Sequence, residues 1–165
     1  MGKEYTLQDA LRLAIKAEKD SMDFYRKAAS IATNERAKKT FDLLANEEVA
    51  HLKSFFDHYK GTEFGDLKSF IESPVDEKNP TYVKLLKAID ENTMEQKALE
   101  LAMDEEKECI GQYTQLAQGV VDPVVKAIFT QVVKETEKHY ELIEAEYAHL
   151  MGMVSSSDQD TFVRE

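Results

Sequence analysis

The sequence has no tryptophan, one cysteine, three prolines and six glycines in 165 residues. The lone cysteine, Cys109, excludes an internal disulfide and any site built on paired thiolates. So few chain-breaking residues over this length leave long uninterrupted elements, hence helices. No apolar run reaches the roughly 18 residues of a membrane span. The polar segment Met1 to Asp9 lacks the apolar stretch of a signal peptide, so a reducing cytoplasm is the expected location. Positive charge is short as well: 21 Lys and Arg stand against 32 Asp and Glu, a net charge of −11. Such a surface repels phosphate backbones and anionic lipid, so neither nucleic acid nor a membrane is an expected partner. It attracts cations. With 42% apolar and 32% charged residues, the composition is that of a soluble globular domain.

The spacing predicts four long helices. Thr6 and Asp9 form an N-terminal cap, and Leu7, Ala10, Leu11, Ala14, Ala17, Met22 and Tyr25 follow near the 3.6-residue period to about Ala32. Thr33 or Asn34 caps a second helix, whose apolar face includes Ala37, Phe41, Leu44, Leu52 and Phe55 and which Gly61 is expected to end. Short helices are expected at Asp66 to Glu72 and Tyr82 to Glu91. Thr93 and Gln96 read as a capping box for a third long helix, ended by Gly119. Asp122-Pro123 opens the fourth, which should reach about Met151. The bundle is thus expected over residues 1–152, with a frayed polar tail at 153–165. Two tight hairpins joined by about 30 residues make an all-α four-helix bundle with one long crossover, the ferritin-like topology.

The chain also repeats itself. Residues 10–29, ALRLAIKAEKDSMDFYRKAA, and residues 98–117, ALELAMDEEKECIGQYTQLA, agree at eight of twenty positions with an offset of 88. The same offset pairs Glu18 with Glu106, Tyr25 with Tyr113, Phe41 with Phe129, Glu47 with Glu135 and His51 with His139. Two copies of one hairpin imply a pseudo-twofold axis, at which a site would receive equivalent groups from each half.

Glu18 falls on the apolar face of its helix, and Glu106 repeats it. A carboxylate turned toward a core is costly unless something pairs with it. Glu48 and His51, three residues apart, project from one helical face and can reach one metal ion. In di-iron bundles two helices each give a glutamate and two others each give Glu-x-x-His. Glu18, Glu48, His51, Glu106 and His139 follow that helix order. Position 136, three before His139, holds threonine in place of the expected glutamate. Glu135 is offset about 40° from His139 around the helix and can substitute in altered geometry; otherwise water or an external anion completes the site. Tyr25 and Tyr113 stand two turns beyond Glu18 and Glu106, either donating hydrogen bonds to ligand carboxylates across the bundle or packing in the core. Glu47, Glu105 and Glu108 read as a solvated rim, His58 and His149 as surface residues, and Cys109 as a core thiol.

The stretches AIKAEKDSMDFY, FDLLANEEVAH, LAMDEEKECIGQY and FTQVVKETEKHY resemble the rubrerythrin-like branch of the ferritin-like superfamily over about residues 6–150. The resemblance implies a di-iron carboxylate site. Glu18 and Glu106 would be terminal ligands, Glu48 a bridge, and His51 and His139 would each hold one iron. Zinc and manganese also suit these donors. It further implies reduction of hydrogen peroxide or oxidation of ferrous iron, and a homodimer. Cys109 replaces a glutamate that the family carries one turn after Glu106, which puts the family's redox-linked ligand switch in doubt. The four cysteines of a rubredoxin-like module are absent, so electrons would come from a separate donor such as a rubredoxin-type protein. Two further readings stand beside the oxidoreductase: an iron-handling protein without turnover, and a structural bundle without metal.

Overall fold

The computed structural model describes residues 6–90 and 93–163. Residues 1–5, 91–92 and 164–165 lie outside them, and with these the first part of the polar N-terminal segment and the expected end of the second short helix at Glu91. The described residues form six helices: α1 Leu7–Ile31, α2 Glu35–Phe56, α3 Leu67–Ile71, α4 Pro80–Lys87, α5 Met94–Gly119 and α6 Pro123–Val163. None is long and apolar enough to cross a membrane.

Most helix starts follow the local chemistry of capping. Thr6 Oγ1 accepts from the Asp9 amide, Asn34 Oδ1 from Ala37, Asp66 Oδ1 from Ser69 and Asn79 Oδ1 from Tyr82. Each satisfies one of the amides that a helix start leaves unpaired. Asn79 precedes Pro80, so α4 begins two residues before the expected Tyr82. Thr93 departs from expectation: it occupies the cap position of α5 but makes no side-chain cap bond. Glu95 instead turns to the amides of Thr33 and Asn34, tying the start of α5 to the α1–α2 turn. Asp122 Oδ1 accepts from the amides of Val124 and Val125. Asp122→Ala is expected to cost about 1 kcal/mol of stability, read as a lower urea midpoint with an unchanged slope.

Two helix ends differ from the reading by spacing. α2 stops at Phe56, not Gly61. Beyond it Phe56, Tyr59, Phe64 and Phe70 cluster with ring centroids 4.9–6.3 Å apart, drawing the crossover onto the bundle. Gly61 serves a close approach instead, because the Tyr59 ring lies where a Cβ would stand. α6 continues to Val163, past Met151 and into the segment expected to fray. Gly152 has no positive φ, and no proline follows to stop the helix.

Side-chain partners fix the topology. Tyr25 meets Glu106, Tyr113 meets Ala14 and Glu18, and Thr33 meets Glu95. α1 and α5 therefore run antiparallel. His51 with Glu135 and Arg36 with Glu146 set α2 antiparallel to α6. Since each hairpin is antiparallel within itself, the crossover returns α5 parallel to α2, as expected. The apolar core is split in two. One cluster gathers Leu11, Ile15, Leu52, Phe55, Tyr113 and Phe129. The other gathers Phe24, Tyr25, Phe41, Leu44, Leu99 and Ile143. A layer of buried charged and polar groups lies between them.

Candidate metal centre

Glu18, Glu48, His51, Glu106 and His139 are all at most 4% exposed. Burying a carboxylate costs several kcal/mol unless a partner offsets it, and three here share one layer. The structure brings them into two overlapping groups, each able to hold a metal ion: Glu18, Glu48 and His51, and Glu48, Glu106 and His139. Glu48 belongs to both. Its Oε2 lies 3.9 Å from His51 Nδ1 and its Oε1 3.4 Å from His139 Nδ1. Glu18 Oε2 is 3.4 Å from His51 Nδ1, and Glu106 Oε1 is 3.7 Å from His139 Nδ1. The two imidazoles stack with centroids 5.5 Å apart and planes 22° from parallel.

The donor set fits a cation on a direct observation. Glu18 Oε2, His51 Nδ1 and His139 Nδ1 are buried with no hydrogen-bond partner. Buried polar atoms are rarely left so, and all three belong to the two groups. Oxygen and imidazole nitrogen are the donors that iron, manganese and zinc accept.

Both histidines are held from behind, and each by the opposite hairpin. His51 Nε2 pairs with Glu135 Oε2 at 2.6 Å, and His139 Nε2 pairs with Glu47. A carboxylate on the outer nitrogen keeps the proton there and leaves Nδ1 free to face inward, which also raises its basicity as a ligand. Glu135 therefore does not take the place beside His139 that the spacing offered it. It lies against the outer nitrogen of His51, and its other oxygen accepts from the Gln131 amide. Glu47 is not simply a solvated rim residue; it is half-exposed and bonded to His139. The signal for both was the repeat, which sets Glu47 and Glu135 at equivalent positions. Glu105 is likewise engaged, accepting from the Thr81 hydroxyl.

The tyrosines complete the layer with the same crossed symmetry. Tyr25 donates to Glu106 Oε1, and Tyr113 donates to Glu18 Oε1 at 2.8 Å. Thr136, the repeat equivalent of Glu48, is 3% exposed and donates its hydroxyl to the Val132 carbonyl. The layer is therefore twofold except at this position. Cys109 is buried beside these carboxylates, which together with burial push its thiol well above the usual range. His149 is exposed and His58 partly buried. Spacing gave no notice of the buried ion pair of Lys19 and Asp23. Lys19 Nζ also donates to the Ser73 carbonyl at 3.1 Å, anchoring the crossover on α1.

Burial, reinforced by the charge of Glu18, raises the Glu48 carboxyl well above its ordinary value. Burial pushes Glu18 the same way, but the neighbouring Glu48 carboxyl, the charge of His51 and the Tyr113 hydroxyl outweigh it and leave Glu18 below the usual range. Burial opposes charge on His51, yet Glu18 and Glu135 overcome it and raise the imidazolium to about 9. His139 is raised in the same sense by Glu106 and Glu47.

A sequence model of the family Rubrerythrin matches residues 9–147. This chain belongs to the rubrerythrin family. Among solved structures, this rubrerythrin-family chain is similar to a ferritin-like diiron-carboxylate protein from Thermotoga maritima, at 21% identity and a TM-score of 0.66. The alignment covers 89% of this chain and 97% of that one. At that identity the likeness speaks to the fold: an all-α ferritin-like bundle. No curated protein matches the sequence. The matched span includes α1 from Asp9 onward, α2, α5 and the part of α6 that carries Glu135, Thr136 and His139, so the polar layer of this rubrerythrin-family protein lies wholly within the family's segment.

Proposed function

We propose that this rubrerythrin-family protein is a di-iron oxidoreductase acting on peroxide or on ferrous iron. The observation that carries the reading is the trio of unpartnered buried ligand atoms around a shared Glu48. Glu18, Glu48 and His51 would hold one iron, and Glu106, Glu48 and His139 the other. When bound, a ferrous pair supplies two electrons to a peroxide or to dioxygen. The protein's own groups do the rest. Tyr25 and Tyr113 fix the carboxylates of Glu106 and Glu18. Glu47 and Glu135 hold the outer imidazole protons. The two apolar clusters on either side exclude bulk water. Thr136 supplies no carboxylate opposite Glu48, which leaves that side to water or an external anion. A separate rubredoxin-type protein would supply the electrons for turnover, since the single cysteine of these 165 residues cannot build a four-thiolate iron centre.

Anaerobic loading with ferrous iron, followed by metal analysis and addition of hydrogen peroxide, tests this. Two ions per chain and rapid iron oxidation are expected; a single tight ion contradicts the paired site. Thr136 also favours a second reading, iron handling without turnover. Sustained peroxide consumption with a reducing partner supports the enzyme, and one-time oxidation supports handling. A further expectation concerns the outer carboxylates. Glu135→Gln should weaken metal affinity by about ten- to a hundredfold with little change in the fold, read by competition with a metal indicator.

A further inference from the structure

Outside the polar layer, one feature breaks the twofold repeat. Between α2 and the start of α6 lies an open groove of about 760 Å³, walled by Val124, Ala127, Ile128 and Val132. Val124 is 57% exposed, and three residues before it, in the α5–α6 turn, Val121 is 94% exposed. The repeat supplies an internal control. The equivalents of Val121, Val124, Ala127 and Ile128 are Thr33, Arg36, Lys39 and Thr40. There Thr33 is bonded to Glu95, and Arg36 reaches across to Glu146 with both bonds at 2.9–3.0 Å. The twin surface is thus polar, bridged and finished within one chain. On the α6 side charge has been exchanged for apolar wall, and exposed valines cost solvation with no return inside the chain.

We propose that a second copy of this chain covers the groove, in a twofold dimer in which the Val121–Val124 ridge of each protomer enters the groove of the other. Charge selects the occupant. Charged residues make up 32% of the chain, yet the ionisable groups lining the groove are His51 and Glu135 alone, already paired with each other at 2.6 Å. A foreign protein that recognises an acidic surface does so through basic groups, and these find no unpaired charge to meet here. Two copies, each carrying −11, repel wherever their charged surfaces face and can close only where charge is withdrawn. Depletion of charge around an apolar centre is also what marks homodimer interfaces among protein contacts. Shape agrees with charge. An isologous contact needs a patch that complements itself, and an apolar projection beside an apolar recess is such a patch. The pair would shield Glu135, behind His51, and leave Glu47, behind His139, in water. The contact uses no metal, so it stands or falls separately from the di-iron reading.

The oligomeric state of the full chain tests this. Sedimentation equilibrium of the metal-free protein, from about 1 to about 500 μM, is expected to show reversible passage from 18.8 kDa to twice that mass. Val124→Arg with Ala127→Lys installs the twin's residues at two exposed positions and sets like charges against each other across the twofold axis. The double variant should keep its helical circular dichroism and dimerise at least about a hundredfold more weakly. Leu43→Arg adds the same charge at an exposed apolar position of the twin surface, the equivalent of Gln131, and should leave dimerisation unchanged. One further measurement needs no variant: a soluble nitroxide should broaden the methyl resonances of Ala127 and Ile128 several-fold less in the dimer than in dilute monomer. A chain that stays monomeric overturns the proposal and leaves the groove to a foreign protein or a small apolar molecule. A dimer that survives the double substitution, a dimer that Leu43→Arg dissociates, methyls broadened equally in both states, or an open-ended polymer overturns it as well.

Discussion

Glu48→Gln is expected to abolish metal binding in both halves of the site while leaving the metal-free bundle about as stable as before. Both groups of donors pass through Glu48, one oxygen each, so a neutral amide weakens both at once. In the metal-free protein burial and the charge of Glu18 push the Glu48 carboxyl well above its ordinary value, toward the neutral form. Glutamine has the same shape and keeps a donor toward Glu18, so the apo fold loses little. The contrast shows in thermal unfolding. A ligand present at a thousand times its dissociation constant stabilises by about 4 kcal/mol, roughly 10 °C for a chain of this size. The wild-type chain should gain that shift with ferrous iron and the variant should not. Equal metal content in the two proteins would refute the shared role of Glu48.

The chelated protein is expected to lose stability as pH rises from about neutral to 9, the reverse of the usual carboxylate-driven trend. His51 has its folded value raised to about 9 from 6.5. A group raised on folding contributes fully below its unfolded value and loses that contribution as pH climbs through the folded one. For His51 the window runs from 6.5 to about 9 and amounts to about 3 kcal/mol. His139 and Glu48, also raised, add in the same direction. Glu18, lowered, acts only on the acid side, where its contribution fades as pH falls through its folded value. Metal affinity should move oppositely. The cation displaces protons from His51 and Glu48, so binding tightens by roughly tenfold per pH unit for each proton released. Urea unfolding of chelated protein at pH 6, 7.5 and 9 measures the first trend; a flat profile would remove His51 from the buried network.

Much of this was legible in the sequence because the information is local or repeated. The caps at Thr6, Asn34 and Asp122 depend on a few neighbouring residues, and the bundle follows from four long apolar stripes and one long linker. Glu18, His51, Glu106 and His139 announce themselves because polar groups on core-facing stripes recur 88 residues apart, and Glu48 because it stands three residues before His51 on the same face. What spacing does not give is a side chain's choice between two neighbours. Glu135 can swing toward its own helix's histidine or the facing helix's, and only the approach of α2 decides for His51. Lys19 and Asp23 look like an ordinary surface pair at four-residue spacing; the crossover that buries them is set by aromatic packing far along the chain. The early end of α2 has the same origin, in Tyr59 and Phe64.

The exchange of partners between hairpins has a consequence for assembly. Neither half of this protein is chemically finished by itself: each carries an imidazole whose backing carboxylate, and a carboxylate whose phenol, belong to the other. Docking the halves and orienting the imidazoles and carboxylates of the layer are therefore one event. A slip of one helical turn between them would strand ionised groups in hydrocarbon, so correct alignment is enforced by the most polar stratum of the molecule, while the greasy layers above and below tolerate small errors.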